Sequence, residues 1–304
     1  MSEECEFCGA LFWKNEVNSS KKYTKCCHDG KVRLPNLTEA PDLIKEFLCS
    51  NSQEAKNYRQ NIRECNAALA FASTGAEIKE PPGTGPYCFH IHGQIYHMVS
   101  PLYSNERNKP VCRHLFIFDS SETSNGRKEN NQACLHSEME KLHALLRSMN
   151  PFAESYLQMH QLIQSNPAVN VKMVFMEHPD LNLRIYNAPT SRTEVSGIFV
   201  GDDGEPPENR DICIYPVADS YKNILPLNQC SEPMVYPHLF PNRECGWNSN
   251  MEHVEERRSA KHVRVTQLQY YSYRFAVRNA FSILHNNGKL FQQSIVDVLH
   301  TGII

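Results

Sequence analysis

The sequence predicts an α+β fold in which a small cysteine-rich module precedes a domain of mixed helices and strands. Three observations lead to this class. Four of the twelve cysteines lie within the first 27 residues, apolar residues recur at helical spacing in several stretches, and short β-rich runs lie between those stretches. The chain has 304 residues, of which 40% are hydrophobic and 10% aromatic. This content is enough to build a core, so wholesale disorder is not expected.

The first half of the chain is predicted to contain two helices and a hairpin. Pro41–Leu48 is predicted as a short amphipathic helix, because proline is favoured in the first turn. Tyr58–Ser73 is predicted as a second helix or a buried segment that ends near Gly75. After a Pro/Gly turn cluster at residues 81–86, Tyr87–Tyr96 is predicted as a hairpin around Gly93 and Gln94.

The second half alternates further helices and strands. The predicted helices are Cys134–Met149, Phe152–Gln164 and a helix-like run over Tyr270–Leu284. The predicted strands are Val111–Asp119, Val171–Glu177 and Asp211–Pro216. Polar loops are predicted at residues 125–131 and 202–209. The Pro- and aromatic-rich segment Ser231–Trp247 is predicted to be irregular. We therefore predict boundaries that divide the chain into residues 1–35, 36–248 and 249–304.

The charge balance and the cysteine content narrow the function classes. The chain has 31 Lys and Arg residues and 34 Asp and Glu residues, which gives a net charge of −3. This balance argues against a polybasic protein that binds nucleic acid through its overall positive charge. No apolar run is long enough to cross a bilayer, so no membrane partner is expected. Twelve cysteines without a secretory signal predict an intracellular, reducing location, where cysteines are core residues or metal ligands.

The cysteines of the first module are spaced like metal ligands. Cys5 and Cys8 form a CxxC pair, and Cys26 and Cys27 follow after seventeen residues. A CxxC pair places two thiolates on one tight turn, within reach of a tetrahedral zinc ion. Adjacent cysteines can both bind only if the backbone bends, so His28 is an alternative to Cys27. The four cysteines are the predicted structural zinc site, and ordinary reduced thiols are the alternative.

Basic residues beside aromatic ones are candidates for nucleic-acid contact. The candidate phosphate contacts are Lys21, Lys22, Lys25, Lys31, Arg33, Arg257, Arg258, Lys261 and Arg264. Arg274 and Arg278 lie beyond the second basic group. The aromatic residues interleaved with them would stack on the bases of a single strand; these are Tyr270, Tyr271, Tyr273 and Phe275. The alternative is a charged helix face with its aromatic side chains in the core.

Motifs for common enzyme chemistry are mostly lacking. The chain contains no GxxxxGK[ST] phosphate loop, no GxSxG elbow and no HExxH helix. His90-Ile91-His92 would place two imidazoles on one face of a strand, a pattern that binds Mg²⁺ or Mn²⁺ in rolling-circle nucleases. A nuclease would also need a tyrosine nucleophile, for which Tyr270 or Tyr271 is the candidate. Chance occurrence among 14 histidines is the alternative.

A series of longer motifs spans nearly the whole chain. They read CCxxGKVxLP at residues 26–35, ALAFASTGA at 68–76, GPYCFHIHGQIYH at 85–97, RIYNAPTSRTEVSGI at 184–198, YPHLFPNRECGW at 236–247 and QYYSYRFAVR at 269–278. In this order they resemble the amino-terminal part of Helitron transposon replicase-helicases.

The resemblance implies a DNA-handling role without chemistry. Family members join a zinc-binding region, a rolling-circle endonuclease with paired tyrosines and an ATP-dependent helicase. Residues from about 249 resemble the start of the helicase-like domain, and the chain is expected to stop before the endonuclease and helicase motifs. This implies a catalytically inactive, zinc-containing front end that binds DNA, preferably single-stranded, in the nucleus. The endonuclease and helicase domains of full-length relatives are further expected partners.

Three other functions remain open from the sequence alone. The first is a divergent metal-dependent nuclease that uses His90, His92 and Tyr270 or Tyr271. The second is a protein-interaction module that docks a partner through Ser231–Trp247. The third is an inactive transposon relic.

Overall fold

A computed structural model describes residues 2–74, 77–79, 90–92, 97–99, 102, 133–167, 171–175, 196–200, 212–215, 222–224, 228–254 and 263–300. The chain divides into two compact units. Unit 1 joins residues 1–41 to residues 247–304, and unit 2 comprises residues 42–246. The breaks lie six residues after the predicted boundary at 35/36 and two residues before the one at 248/249, and the segments predicted as the first and third parts belong to one unit.

Unit 2 begins with three eight-residue helices, α1 Asp42–Cys49, α2 Gln53–Gln60 and α3 Ile62–Leu69. The helix predicted next to Pro41 is α1. Tyr58–Ser73 is not one continuous helix, because the chain forms α2 and α3 with a break at Asn61. The alternative of a buried segment is confirmed, since every residue from Cys65 to Ala72 except Ala67 is buried. The Ser52 side chain accepts a hydrogen bond from Ala55 N and so starts α2 earlier than the apolar pattern indicates.

Two longer helices follow, α4 His136–Met149 and α5 Pro151–Ser165. Both agree with the prediction, since their apolar residues recur at helical spacing. Asn150 separates them: its side chain accepts a hydrogen bond from Phe152 N at 2.9 Å, and Pro151 occupies the first helical position.

The strands of unit 2 are short and pair only antiparallel within the described ranges. They are β3 Ser73–Thr74, β4 Glu77–Lys79, β5 His90–His92, β6 His97–Val99, β7 Val171–Phe175, β8 Ser196–Val200, β9 Ile212–Ile214 and β10 Lys222–Ile224. Their sheets have the orders β10-β6-β3, β4-β5 and β8-β7-β9. Helices together with small sheets confirm the α+β class.

The hairpin predicted over Tyr87–Tyr96, including its turn at Gly93 and Gln94, lies largely outside the described residues. His90–His92 is indeed a strand, but it pairs with Glu77–Lys79. His97–Val99 belongs to a different sheet, where it pairs with β3 and β10. The strands predicted at 171–177 and 211–216 are present as β7 and β9. The predicted strand at 111–119 and the loops at 125–131 and 202–209 lie outside the described residues.

Aromatic side chains of the helices and of β7 form the core of unit 2. The Phe71 ring lies 5.4 Å from the Phe152 ring and 5.8 Å from the Tyr156 ring, and Phe152 meets Phe175 edge-on at 5.2 Å. The segment predicted to be irregular contains a short helix, α6 Ser231–Val235. This helix is buried along its length: Phe71 N donates to Met234 O at 2.8 Å.

Unit 1 combines both ends of the chain. Its elements are β1 Glu3–Glu4, β2 Leu11–Phe12, a 3₁₀ turn at Lys14–Glu16, α7 Gln267–Arg274, α8 Ile283–Asn286 and α9 Lys289–His300. The helix predicted over Tyr270–Leu284 is wrong in extent, because α7 ends at Arg274 and eight residues separate it from α8. No helix in the described ranges has both the length and the apolar character of a membrane span.

Candidate metal centre

The first pair of cysteines lies on a tight turn between β1 and β2. Gly9 N donates to Cys5 O at 2.9 Å, and Cys5 N donates to Ala10 O at 2.9 Å. Gly9 has a φ of +68°, a conformation that glycine adopts without strain. The Ala10 N–H also donates to the Cys8 sulfur. Both thiols are therefore held on one side of a backbone loop that is itself hydrogen-bonded.

The second pair shows how two adjacent cysteines can face the same point. Three successive residues after Cys27 have left-handed backbone conformations: His28 at φ 52°, Asp29 at φ 60° and Gly30 at φ 81°. This turn brings Gly30 N to 3.3 Å from the Cys27 sulfur, to which it donates. The Cys26 and Cys27 sulfurs end 3.8 Å apart. The bent backbone that the sequence required for two adjacent ligands is present.

The two turns bring four sulfurs together. Those of Cys5, Cys8, Cys26 and Cys27 all lie within 4.8 Å of one another, close enough to bind one metal ion. The Cys5 and Cys27 sulfurs are 3.6 Å apart. Four sulfurs about 2.3 Å from one zinc ion are about 3.8 Å apart along the tetrahedron edges. The cluster therefore fits a tetrahedral four-thiolate site.

His28, the predicted alternative ligand, is not part of this group of four. Its side chain is exposed, and its ring centroid lies 5.9 Å from that of His253. The same left-handed turn that aims Cys27 inward directs the next side chain elsewhere. The structure thus favours four cysteines over three cysteines and a histidine.

The protonation of the cluster also suits a cation. The hydrogen bond from Cys26, with help from the Ala10 N–H, lowers the pKa of Cys8 from 9.0 to about 5. The same hydrogen bond and burial raise the pKa of Cys26. Burial raises the pKa of Cys27 to about 12, against the effect of the Gly30 N–H. One thiolate is thus shared among neighbouring thiols, and a bound cation would displace the remaining protons.

The C-terminal part of unit 1 supports the first turn. Arg278 Nε donates to Cys8 O at 3.0 Å, and its Nη2 donates to Tyr273 O at 3.0 Å. Leu11 N donates to Val277 O at 2.8 Å. Residues more than 260 positions apart therefore fix the CxxC turn. The sequence carried no local signal for this role of Arg278.

The tyrosines of α7 lie in the core of unit 1. Tyr270, Tyr271 and Tyr273 are 2%, 7% and 8% exposed. They belong to the same apolar cluster as Cys5, Cys26 and Cys27. The hypothesis that they form a stacking surface for bases is wrong, because their rings are not accessible. The part of the alternative that places these aromatic side chains in the core is confirmed, whereas Glu252 and Arg264 of the charged stretch form an isolated β-bridge rather than a helix face.

The candidate nuclease residues are divided between the two units. Tyr270 and Tyr271 are buried in unit 1, and the Tyr270 hydroxyl accepts a hydrogen bond from Arg274 Nε at 3.4 Å. His90 and His92 lie on β5 of unit 2. Within the described ranges, the cluster of four cysteines is the only group of three or more His, Cys, Asp or Glu side chains that converges like a metal site.

The predicted phosphate contacts are exposed wherever the structure describes them. Lys21, Lys22, Lys25, Lys31 and Arg33 are all exposed side chains on either side of the second cysteine pair. Lys22 Nζ lies 3.4 Å from Asp29 Oδ2, and both groups are open to solvent. Arg264 is also exposed, and Arg257, Arg258 and Lys261 lie outside the described residues.

Two exposed aromatic residues in unit 1 were not predicted as site residues. Phe7 lies between the first two cysteines and is 48% exposed, and Trp13 follows β2 and is 54% exposed. The neighbouring Phe12 is buried and stacks on Tyr23 at 4.5 Å, which places residues 12 and 13 beside the lysine-rich segment. Phe7 could have been identified from the sequence as a candidate site residue, because it is an aromatic residue between the two cysteines of the CxxC pair.

No family model matches the chain, and no curated protein matches it. The Helitron resemblance therefore remains an expectation from the motifs.

Proposed function

We propose that the chain binds DNA, preferably single-stranded, through a surface of unit 1 that a structural zinc ion organises. In this proposal it is the front end of a Helitron-type transposase and has no catalytic activity of its own. It would act in the nucleus, beside the endonuclease and helicase domains of full-length relatives. The observation that supports the proposal best is the convergence of four cysteines, two of which lie in a segment whose lysines are exposed.

The donor set favours zinc with a structural role. Four thiolates at tetrahedral separations suit zinc, whereas hard cations such as magnesium prefer oxygen ligands. Four protein ligands also leave no open position for a water or a substrate, as is typical of structural rather than catalytic zinc. In this role the metal would join the CxxC turn to the lysine-bearing turn.

The charge distribution around the site supports DNA as the ligand. Residues 21–33 contain five basic residues and a single acidic one, Asp29, although the whole chain has a net charge of −3. Exposed Lys and Arg side chains bind phosphates, and their contribution weakens as salt rises. Exposed Phe7 and Trp13 supply rings on which unpaired bases can stack.

The DNA role is tested by fluorescence anisotropy of a labelled single-stranded oligonucleotide at two salt concentrations, with and without a zinc chelator. We expect binding that weakens with salt and is lost on chelation. The Lys25→Ala/Lys31→Ala variant should weaken binding and reduce the salt slope by about 1.4, since each phosphate contact to a single strand contributes about 0.7. The matched control is Lys56→Ala/Arg147→Ala, which removes two exposed positive charges from unit 2.

Two results would contradict the DNA role. The first is an absence of binding at micromolar protein. The second is an equal loss of affinity in both double variants, since that would assign binding to general charge rather than to the lysines of residues 21–33.

The zinc site is tested separately by elemental analysis of the purified protein. We expect about one zinc ion per chain. Cys5→Ser should lose most of that zinc, because Cys5 is one of the four converging ligands. Cys49→Ser is the control, since Cys49 is exposed and lies in unit 2. Unchanged zinc content in Cys5→Ser would show that the ligand assignment is wrong.

A further inference from the structure

A second pair of cysteines lies in unit 2, apart from the metal centre. Cys65 is buried on α3, and Cys134 is partly exposed two residues before α4 begins. They are 69 positions apart in sequence, yet their sulfurs are separated by 2.8 Å. Within the described ranges, neither takes part in a group of three or more potential metal ligands.

The backbone around both cysteines is held in place by Asn61. The Asn61 side chain donates through Nδ2 to Ala133 O at 2.8 Å. Asn61 O in turn accepts a hydrogen bond from Cys65 N at 3.0 Å. One residue therefore fixes the turn that carries Cys134 against the first turn of α3.

The separation of the two sulfurs distinguishes a redox pair from a metal pair. Two thiolates on one zinc ion are about 3.8 Å apart. In the metal centre the sulfurs of Cys5 and Cys27 are 3.6 Å apart, whereas Cys65 and Cys134 are much closer. A disulfide needs about 2.05 Å, so a shift of less than an ångström would bond them.

We propose that Cys65 and Cys134 are a site of reversible oxidation at which a peroxide joins them in a disulfide. Cys134 is the attacking group, because it is partly exposed and accepts the hydrogen bond from the Cys65 thiol. Buried Cys65 is the resolving group. This hydrogen bond, followed by burial, raises the pKa of Cys65, so this thiol keeps its proton until the second step.

The chemistry needs only hydrogen peroxide and the two thiols. The Cys134 thiolate attacks one peroxide oxygen, the O–O bond breaks, and sulfenic acid and hydroxide form. The Cys65 sulfur then attacks the sulfenic sulfur, the S–S bond forms, and the S–O bond breaks. The Cys65 proton leaves with the departing oxygen as water. In total, two thiols lose two electrons and two protons, and peroxide becomes two water molecules.

The product would connect α3 to the start of α4. Because it closes a long loop of unit 2, it would restrict the unfolded chain and raise the thermal midpoint of that unit. The reaction does not depend on DNA binding or on the zinc ion, so its failure would leave the proposed function unaffected.

The test is peptide mapping of the metal-loaded full chain after treatment with hydrogen peroxide, without a reducing agent. Trypsin releases residues 64–79 with Cys65 as their only cysteine and residues 129–141 with Cys134 as theirs. We expect the two peptides to be linked after oxidation and to separate again on reduction. The ligands of the metal centre lie in other tryptic peptides, so their oxidation does not interfere.

Variants assign the roles of the two thiols. Cys65→Ser should leave Cys134 as a sulfenic acid that a dimedone reagent traps, whereas Cys134→Ser should leave Cys65 reduced. Cys49→Ser is the control, because it removes an exposed thiol and should not change the yield of linked peptide. The proposal is overturned if the wild-type chain oxidises Cys49 but gives no link between Cys65 and Cys134. It is also overturned if Cys65 links equally well to Cys49.

Discussion

A single glycine determines how the second cysteine turn meets the first. Gly30 has a φ of +81° and donates its N–H to the Cys27 sulfur. A β-carbon placed on it would lie 2.7 Å from Cδ1 of Phe7, the aromatic residue between Cys5 and Cys8. The two cysteine turns are thus packed directly on each other, and this position has no room for a side chain.

Gly30→Ala should therefore destabilise unit 1 and weaken metal binding. The left-handed backbone alone costs about 1–2 kcal/mol for a residue with a β-carbon, and the contact with Phe7 adds to it. Gly288→Ala is the matched control, because Gly288 also has a positive φ, of 46°, but has no atom within 4 Å of its would-be β-carbon. Metal transfer to a chromophoric chelator and thermal unfolding measure both effects.

The comparison of the two glycines isolates the ring contact. If Gly30→Ala and Gly288→Ala have the same effect on unfolding and on metal transfer, the packing of Phe7 on Gly30 is unimportant. In a Phe7→Ala background the excess effect of Gly30→Ala should disappear.

At the scale of one element, α4 carries a buried carboxyl group near its start. Glu138 is the third residue of the helix and is fully buried, and the Leu135 backbone N–H is close enough to favour the charged form only weakly against the effect of burial. Burial raises its pKa from 4.5 to about 7. The folded protein therefore holds this proton more tightly than the unfolded chain does. Stability is greatest below pH 4.5 for this group and falls as the pH rises to about 7.

Glu138→Gln should remove this pH dependence. At pH 8 the variant should be more stable than the wild type by up to about 3 kcal/mol, and near pH 4.5 the two should be nearly equal. Glu64→Gln is the control, because Glu64 is also the third residue of its helix, α3, but is exposed. Urea unfolding at both pH values measures the difference. Equal stability of wild type and Glu138→Gln at pH 8 would contradict the assignment.

The helices and strands also show which elements could be predicted from local sequence patterns alone. The helices α4 and α5 were predicted because each has a long apolar stripe of its own. Within the predicted hairpin, His90–His92 is a strand, but its partner β4 lies earlier in the chain and was not predicted. The helix α9 was missed, since no helix was predicted beyond Leu284. Local periodicity predicts an element, but strand pairing depends on distant residues.

The metal centre likewise combines features that local sequence patterns predict with features that depend on distant residues. The four cysteines were predicted from spacing alone, because ligands of one metal must lie on tight turns. The burial of Tyr270, Tyr271 and Tyr273 was only one of two alternatives that the sequence left open, and the bond from Arg278 to Cys8 O was not predicted. Both depend on the C-terminal segment packing against the first residues, and no pattern within either segment indicates its partner.

At the scale of the whole molecule, the metal centre belongs to a unit made from both ends of the chain. Three of its cysteines are buried in the same apolar cluster as Val265, Tyr270 and Val298. Unit 2 has its own aromatic core. A metal that holds the cysteine turns together should therefore stabilise unit 1 through folding itself, as in small zinc domains. The stability of unit 2 should not depend on it.

Removal of the metal should thus unfold unit 1 at a lower temperature and leave unit 2 unchanged. The chain offers a selective probe, because its only two tryptophans, Trp13 and Trp247, both lie in unit 1. On addition of a zinc chelator, we expect the tryptophan fluorescence transition to shift to lower temperature. The main far-ultraviolet circular dichroism transition, which reports largely on α1–α5, should stay in place.

The control is Cys5→Ser, which already lacks a ligand. Its tryptophan transition should lie at the lower temperature without chelator and should not shift when chelator is added. A chelator that shifts both signals together would mean that the two units unfold as one, and a chelator that shifts neither would mean that the four cysteines hold no metal needed for folding.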